Sequence, residues 1–166
     1  MGSRPRKENL AYIAGFLDGD GSLMLQVKKR KDGKMGWRFM STISFYQDSR
    51  HSQPLIWIRK QLGIGYLSNR KDGISELRIN GFAQTERIIE QLLPYIRFKK
   101  VQAKMMLKAA KILSKRKNDL LSEKDAKTIA RAILVIRTEN YQSGKKRNQS
   151  ISEILGLTPY RLNPKG

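Results

Sequence analysis

The spacing of apolar residues changes from helical to strand-like within the first 27 residues of this 166-residue chain. The apolar run Ala11–Leu17 predicts a helix, which ends in Asp-Gly-Asp-Gly at 18–21. Leu23, Leu25 and Val27 then recur with a period of two, which is typical of a strand with one buried face. A second alternating run at 37–46 follows an Asp-Gly turn signal at 32–33. The pattern therefore predicts a helix followed by a long β-hairpin.

The next forty residues repeat this arrangement. Pro54 fits the first turn of a short helix that continues to Leu62, with Gly63 as its C-cap. A second hairpin follows over 64–80, turning at 71–73, and a helix over 83–93 ends before Pro94. The order αββαββα predicts an α+β fold in which the helices collect on one face of antiparallel strands.

Helical signals continue towards the C-terminus. We expect helices over 102–115 and 122–139, the latter opened by Ser122 as N-cap with an acid at Asp125. Ser150 and Glu153 form a capping-box pattern for a last short helix that ends at Gly156. No linker divides the chain, so we expect one domain over 1–166. It comprises a flexible basic tail at 1–8, a core at about 9–100 and C-terminal helices at about 101–156.

The net charge of the chain indicates which kind of partner it binds. Lys and Arg number 34 against 14 Asp and Glu, which gives a net charge of +20. Such an excess predicts a polyanionic partner, most simply nucleic acid. The absence of Cys excludes disulfides, zinc knuckles and thiol catalysis, and the single His51 argues against nucleases built on paired histidines. No apolar run is long enough to span a membrane, so we expect no membrane partner. We expect an intracellular location, either in an organelle or in a prokaryotic cytoplasm.

The end of the first helix carries the candidate chemistry. Ala11, Gly15 and Gly19 lie four residues apart and would form one nearly bare helix face, on which a second backbone could pack closely. Asp18 and Asp20 lie at the C-terminal end, where the helix dipole disfavours carboxylates. A bound divalent cation would offset this placement. The alternative is a buried helix that ends in an ordinary Asp-Gly turn.

Residues 13–21, IAGFLDGDG, closely resemble the LAGLIDADG motif of a homing endonuclease family. Phe16 and Leu17 replace the usual Leu and Ile, and Gly19 replaces Ala. The resemblance extends over roughly residues 9–134 and implies a saddle of antiparallel β-ribbons that binds DNA, with the helices on the opposite face. Because only one motif occurs, it also implies a homodimer around the motif helix. The interface positions implied are Ala11, Ala14, Gly15, Asp18 and Gly19.

The resemblance also implies an active site. Asp20 and the carbonyl of Gly19 would bind Mg²⁺, which Mn²⁺ could replace, whereas Ca²⁺ would bind without supporting cleavage. Asp18 is expected to hydrogen-bond the backbone at the partner's helix end, with direct metal ligation as the alternative. Gln47 matches a position that orders water or metal, and its alternative is an ordinary strand-end amide. Lys99 matches the active-site lysine, with phosphate anchoring as its alternative and Lys100 as a rival for the role.

Polar side chains on the outward faces of the two hairpins suit the major groove of DNA. A solvated sheet face is the alternative for each of them taken alone. Relatives have an arginine a few residues after the Gln47 position, whereas this chain departs from that pattern with Arg50 followed by His51, either of which could approach a phosphate. The loop at 145–147 is either a phosphate contact or a disordered basic segment. The predicted DNA contacts are Gln26, Lys28, Arg30, Lys34, Arg38, Met40, Ser44, Arg50, Tyr66, Ser68, Arg70, Glu76, Arg78, Lys145, Lys146 and Arg147.

These features predict a homodimeric, metal-dependent endonuclease that makes a double-strand cut in a long, pseudo-palindromic DNA target. One alternative keeps the fold but makes the protein an intron maturase, with host intron RNA as its partner. A second is a non-catalytic, sequence-specific DNA-binding protein. Asp20, Gln47 and Lys99 favour the enzyme, because a protein that only binds RNA does not need them. A DNA-binding protein without catalysis would not explain the converging aspartates.

Overall fold

A computed structural model of the chain describes residues 5–29, 37–116 and 121–140. Its helices and strands follow the predicted αββαββα order with further C-terminal helices, which confirms the predicted fold class. A single 3₁₀ turn, Ser49–His51, follows the second strand. The elements are α1 (Lys7–Asp20), β1 (Gly21–Lys29), β2 (Trp37–Asp48), α2 (Gln53–Leu62), β3 (Tyr66–Asn69), β4 (Ile74–Asn80), α3 (Phe82–Leu92), α4 (Lys100–Ser114) and α5 (Glu123–Glu139).

Some boundaries differ from the prediction. Helix α1 begins at Lys7, so Lys7 and Glu8 are not part of a flexible tail. Glu8 lies in the first helical turn, where the helix dipole favours an acid. Helix α4 begins at Lys100 rather than at 102, which places Lys99 at its N-cap. The predicted turn at 32–33 and the short helix at 150–156 lie outside the described residues, as do Arg30, Lys34, Lys145, Lys146 and Arg147.

The four strands form one antiparallel sheet in the order β1-β2-β4-β3. The central pairing, β2 with β4, joins the two hairpins into one surface. In this register Leu23 lies opposite Ile43, and Ile43 lies opposite Ile79. All three side chains are buried, so the apolar half of the alternating pattern forms a continuous row on the core face.

The helices bury this row. Ile13 and Leu17 of α1 are fully buried, as are Ile88 of α3 and Met106 of α4. The core also includes Ile133 of α5. The opposite face of the sheet carries the polar half of the pattern, and this division of the two faces positions the candidate site and the candidate DNA surface. No helix in the described ranges is both long and apolar enough to cross a membrane.

Local capping explains where two of the helices end or begin. Gly63 adopts φ 67° and ψ 17° after α2, a left-handed conformation that favours glycine, and its N–H donates to the carbonyl of Arg59. The Ser122 side chain accepts a hydrogen bond from the N–H of Asp125 at the start of α5. Both caps were predicted from the sequence, and both are confirmed.

Candidate active site and nucleic-acid interface

Asp18 joins the end of α1 to the start of α4. Its carboxylate accepts hydrogen bonds from the backbone N–H groups of Arg97 at 2.7 Å, Phe98 at 3.2 Å and Lys99 at 2.9 Å. Asp18 is only 6% exposed, so these bonds satisfy a buried charge. The helix that it caps belongs to its own chain, which corrects the expectation of a bond to a partner's helix end. A carboxylate near the unfavourable end of α1 is offset by the favourable N-terminal end of α4.

Lys99 lies beside the motif and is buried. Its Nζ donates to the backbone carbonyl of Asp18 at 2.5 Å. Burial lowers the pKa of the Lys99 ammonium below its ordinary value, although the negative charges of Asp18 and Asp20 oppose this change. Lys100, by contrast, is exposed on the first turn of α4. Of the two rival lysines, Lys99 is therefore the one that the fold brings to the motif carboxylates.

Asp20 is the last residue of α1 and is exposed, as is Gly19 before it. A carboxylate and a backbone carbonyl are the oxygen ligands that Mg²⁺ and Ca²⁺ prefer, so their chemistry fits the predicted metal. The described residues contain no cluster of three or more His, Cys, Asp or Glu that could hold a metal ion. Further ligands for a metal at Asp20 would have to come from water, from DNA phosphates or from a second copy of the chain.

Gln47 lies near the end of β2. Gly21, the first residue of β1, pairs with Phe45, so β2 continues past the start of β1 on the side where α1 ends. The Gln47 side chain is half-buried, and its Oε1 accepts a hydrogen bond from the N–H of Asp48 at 2.9 Å. Gln47 therefore lies at the same end of the sheet as Asp20.

Arg50 and His51 follow in the 3₁₀ turn, and both are exposed. The Arg50 guanidinium donates to the Asp48 carboxylate through Nε at 3.0 Å and Nη2 at 2.7 Å. This ion pair holds the pKa of Asp48 well below its ordinary value and raises that of Arg50. Asp48 thus fixes Arg50, and His51 makes no equivalent bond to Asp48.

The residues predicted to form the dimer interface fall into an exposed set and a buried set. Ala11, Gly15 and Gly19 are exposed, whereas Ala14 is fully buried and Asp18 nearly so. The predicted interface roles of Ala14 and Asp18 are therefore wrong for this chain, because these residues lie on the helix face turned towards the core.

The two exposed glycines of α1 differ from Gly21, which directly follows the helix, in the space that the chain leaves around them. A Cβ added at Gly15 or Gly19 would meet nothing within 4 Å. At Gly21 it would lie 2.8 Å from the backbone of Leu17. The packing of the chain therefore explains Gly21, but it does not explain Gly15 or Gly19.

An aromatic pair beside this face was missed at the sequence level. Tyr12 is 58% exposed and lies edge-on to Trp57 of α2, with ring centroids 5.4 Å apart. Together with Pro54 they line an open groove of about 640 Å³ between α1 and α2. The pairing depends on how two helices pack, so the sequence offered only the presence of the two rings.

The predicted DNA contacts on the sheet face are accessible to different degrees. Exposed members are Lys28, Arg38, Tyr66, Arg70 and Arg78, and half-buried members are Gln26, Met40 and Ser68. Tyr66 lies opposite Arg78 in the register. A row of basic, aromatic and amide side chains is thus available on this face.

Ser44 and Glu76 depart from that pattern. Ser44 is fully buried and Glu76 is 4% exposed. Ser44 Oγ donates to Glu76 Oε1 at 2.8 Å, and Arg78 donates to both Glu76 oxygens. The prediction that these two residues contact bases directly is wrong for this conformation, because their polar atoms are occupied by each other and by Arg78. An acid and an arginine two residues apart on one strand face are the sequence signal of this pairing.

Comparison with known proteins agrees with the geometry. Residues 13–113 match the family model described as LAGLIDADG endonuclease. The DNA endonuclease I-CvuI of Chlorella vulgaris is 31% identical over 137 residues, which cover 82% of this chain and 81% of that protein. The DNA endonuclease I-CreI of Chlamydomonas reinhardtii is 30% identical over 108 residues, covering 65% of this chain and 66% of that one.

Solved structures give the same result. The crystal structure of the homing endonuclease I-CvuI in complex with the I-CreI target, in the presence of 2 mM Mg and with the DNA not cleaved, matches with a TM-score of 0.77. The sequence identity is 27%, and the match covers 91% of this chain and 92% of that one. From the family match and these relatives, we conclude that the chain belongs to the LAGLIDADG endonuclease family.

Proposed function

We propose that the chain is a homing endonuclease that makes a metal-dependent double-strand cut in a long, pseudo-palindromic DNA target as a homodimer. The observation that carries this proposal is the junction of α1 with α4, where the exposed Asp20 lies near the buried Lys99. Family membership supports the nuclease activity, and the structures of I-CvuI with DNA targets in 2 mM Mg or 2 mM Ca support a divalent metal.

In this mechanism Asp20 and the carbonyl of Gly19 would hold Mg²⁺. When bound, the metal supplies water activation and stabilisation of negative charge on the phosphate. Lys99 adds a fixed positive charge that favours the pentavalent transition state. Its hydrogen bond to the Asp18 carbonyl and its place at the N-cap of α4 restrict its motion, so little reorganisation is needed during the reaction. Gln47 would orient water near the scissile phosphate from the same end of the sheet.

The exposed glycines of α1 support the proposed homodimer. Gly15 and Gly19 are exposed and lack any contact in their own chain that requires glycine. A close approach of a second helix does require it, since any side chain would separate the two backbones. Two copies related by a two-fold axis would bring two Asp20 carboxylates together. They would also present two equal sheet faces to a target with matching half-sites.

The test uses purified protein and a randomised duplex library with Mg²⁺, with Mn²⁺, or with Ca²⁺. We expect selected duplexes to be cut on both strands in Mg²⁺ or Mn²⁺ and to be bound without cleavage in Ca²⁺. Lys99→Met should reduce cleavage much more than binding, whereas the matched variant Lys100→Met should leave cleavage close to wild type. Selective binding without cleavage in any metal would indicate a non-catalytic DNA-binding protein. Preference for the RNA of a host intron over every duplex would indicate a maturase.

A further inference from the structure

Three arginines in the described residues form ion pairs with an acid two positions away, and one pair differs from the others. The pairs are Asp48–Arg50, Arg70–Asp72 and Glu76–Arg78. The carboxylate side chains of Asp48 and Asp72 are 35% and 48% exposed, but that of Glu76 is only 5% exposed. Only in the third pair is the acid removed from solvent while its arginine remains accessible.

The third pair is held by several bonds. Arg78 donates to Glu76 Oε1 through Nε at 3.1 Å and Nη2 at 3.0 Å, and to Oε2 through Nη2 at 2.9 Å. Ser44 Oγ, from the neighbouring strand, donates to the same Oε1 at 2.8 Å. Ser44 lies directly opposite Arg78 in the β2–β4 register and is fully buried. The three residues form a hydrogen-bonded cluster on the polar sheet face, which we call the Ser44–Glu76–Arg78 cluster.

A buried carboxylate at this place needs a reason. It opposes DNA binding, because its negative charge lies on the face that would approach phosphates, and its desolvation is costly. Its presence is explained by its effect on Arg78, whose guanidinium it holds in place. The Nε–Nη2 edge of the guanidinium faces Glu76, whereas Nη1 has no acceptor in the described part of the chain. Each of the two Nη nitrogens carries two hydrogens, so the Nη1–Nη2 end keeps donors for a second partner. A guanidinium held along one edge presents its other end in a fixed direction, so less side-chain entropy is lost when it binds.

We propose that Ser44 and Glu76 are positioning residues that orient Arg78 for direct recognition of a guanine in the DNA target. Guanine is the base class implied, because arginine donates to its O6 and N7 in the major groove. The proposal rests on the proposed function, since it requires a DNA target. Under it, Ser44 and Glu76 determine specificity without touching a base.

The test compares the base preferences of wild type, Glu76→Gln, Ser44→Ala, Arg78→Ala and the control Glu90→Gln. Each is selected on one randomised duplex library in Ca²⁺, and the affinity for the wild-type consensus duplex is then measured. Glu76→Gln should lose preference at one position per half-site, about fivefold or more. Arg78→Ala should lose base preference at the same position. The double variant Glu76→Gln/Arg78→Ala should show no greater loss of preference than Arg78→Ala alone. Ser44→Ala should cause a smaller loss there, because it removes one of the donors to Glu76.

The affinity for a non-specific duplex separates the effect of a lost negative charge from a change in base preference. Glu76→Gln and the control Glu90→Gln each remove one negative charge, and Glu90 pairs with Lys111 on the helical side of the molecule. Both variants should therefore bind a non-specific duplex as tightly as wild type or more tightly. Of these two variants, only Glu76→Gln should change the base profile. Nitrogen-15 NMR of the free protein should show slow solvent exchange of the Arg78 Nε–H in wild type and faster exchange in Glu76→Gln. A cooperative melting transition in each protein confirms that both fold.

The outcomes separate this inference from the proposed function. A selective wild type together with an unchanged profile for Glu76→Gln would overturn the positioning role alone. A changed preference at a cytosine position that is independent of Arg78 would overturn it too, because Glu76 would then contact that base itself. A wild type that selects no sequence would overturn the proposed function and the inference with it.

Discussion

At the scale of single residues, Asp18 and Asp20 show how neighbouring identical side chains take different roles. Asp18 is buried and accepts three backbone hydrogen bonds, so it has little capacity left for a metal. Asp20 is exposed and lies two residues further along, at the end of the helix. Their burial differs accordingly: the Asp18 carboxylate is held within the fold, and the Asp20 side chain is exposed to solvent.

Asp20→Asn should abolish cleavage while leaving DNA binding intact. The substitution keeps the size of the side chain but removes the charge that would hold the metal. Binding in low salt should match or exceed that of wild type, because two negative charges no longer face the phosphates. Cleavage and binding of one selected duplex in Mg²⁺ and in Ca²⁺ provide the measurement. Full cleavage by Asp20→Asn would contradict the proposed metal site.

Lys99 should make stability depend on alkaline pH. Burial lowers its pKa below the ordinary 10.5, whereas the unfolded chain keeps the ordinary value. Between these two values the unfolded state binds more protons, so the Lys99 contribution to the free energy of unfolding rises with pH. Urea unfolding should therefore show that the free energy of unfolding of wild type increases relative to that of Lys99→Met as the pH approaches 10.5. A shift in the opposite direction would mean that the charges of Asp18 and Asp20 outweigh burial.

At the scale of elements, α1 presents three parts of its surface to different surroundings. One face, with Ile13 and Leu17, packs in the core. Another, with Gly15 and Gly19, is exposed, and the C-terminal end presents Asp20. Because one helix carries all three, the position of the proposed metal ligand is coupled both to the core and to the proposed dimer.

Substitutions at Gly15 should separate folding from dimerisation. Gly15→Ala places a Cβ where the chain itself has space, so the monomer should be as stable or more stable, by up to about 1 kcal/mol. Dimerisation should weaken, and Gly15→Leu should abolish both dimerisation and cleavage. Sedimentation at micromolar concentration together with urea unfolding provides the measurement. A wild type that remains monomeric in sedimentation would contradict the proposed interface.

Loss of the Asp18 cap should destabilise the junction between α1 and α4. Asp18→Ala removes three hydrogen bonds to a buried charge, and each such bond is worth roughly 1.5–3 kcal/mol. Ser122→Ala, which removes the exposed N-cap of α5, should cost only about 1 kcal/mol. Urea unfolding of the two variants compares them directly. Equal costs would mean that the Asp18 bonds add no more than an ordinary helix cap.

At the scale of the whole molecule, the net positive charge favours association with a polyanion such as a nucleic acid. A dimer would carry +40 (2 × 20), far from neutral. Several described cations, including Lys28 and Arg38, are exposed on the polar face of the sheet. The helices occupy the other face, so the architecture offers this polar surface for contact with a nucleic acid.

DNA affinity should fall steeply as salt increases. If about ten phosphates are neutralised, log K should decrease against log[salt] with a slope of roughly −9, because condensed cations are released on binding. Titrations of a selected duplex over a range of KCl concentrations provide the slope. A slope shallower than about −2 would mean that the positive charge of the chain serves another purpose.

The sequence by itself determined the family, the order of helices and strands, and the faces of the strands. These features depend on local periodicity, capping and turn residues, which act over a few positions. Pro54, Gly63 and Ser122 were sufficient to place helix boundaries for this reason. The motif at 13–21 identified Asp20 and a glycine face because its residues are contiguous.

Only the tertiary structure decided which side chains are free and which are engaged. The bond from Lys99 to Asp18 joins residues 81 positions apart, and that from Ser44 to Glu76 joins residues 32 apart. Periodicity assigns a residue to a face but does not reveal whether a neighbouring strand or helix covers it. Ala14, Ser44 and Glu76 were therefore assigned to surfaces, although packing between distant segments buries them.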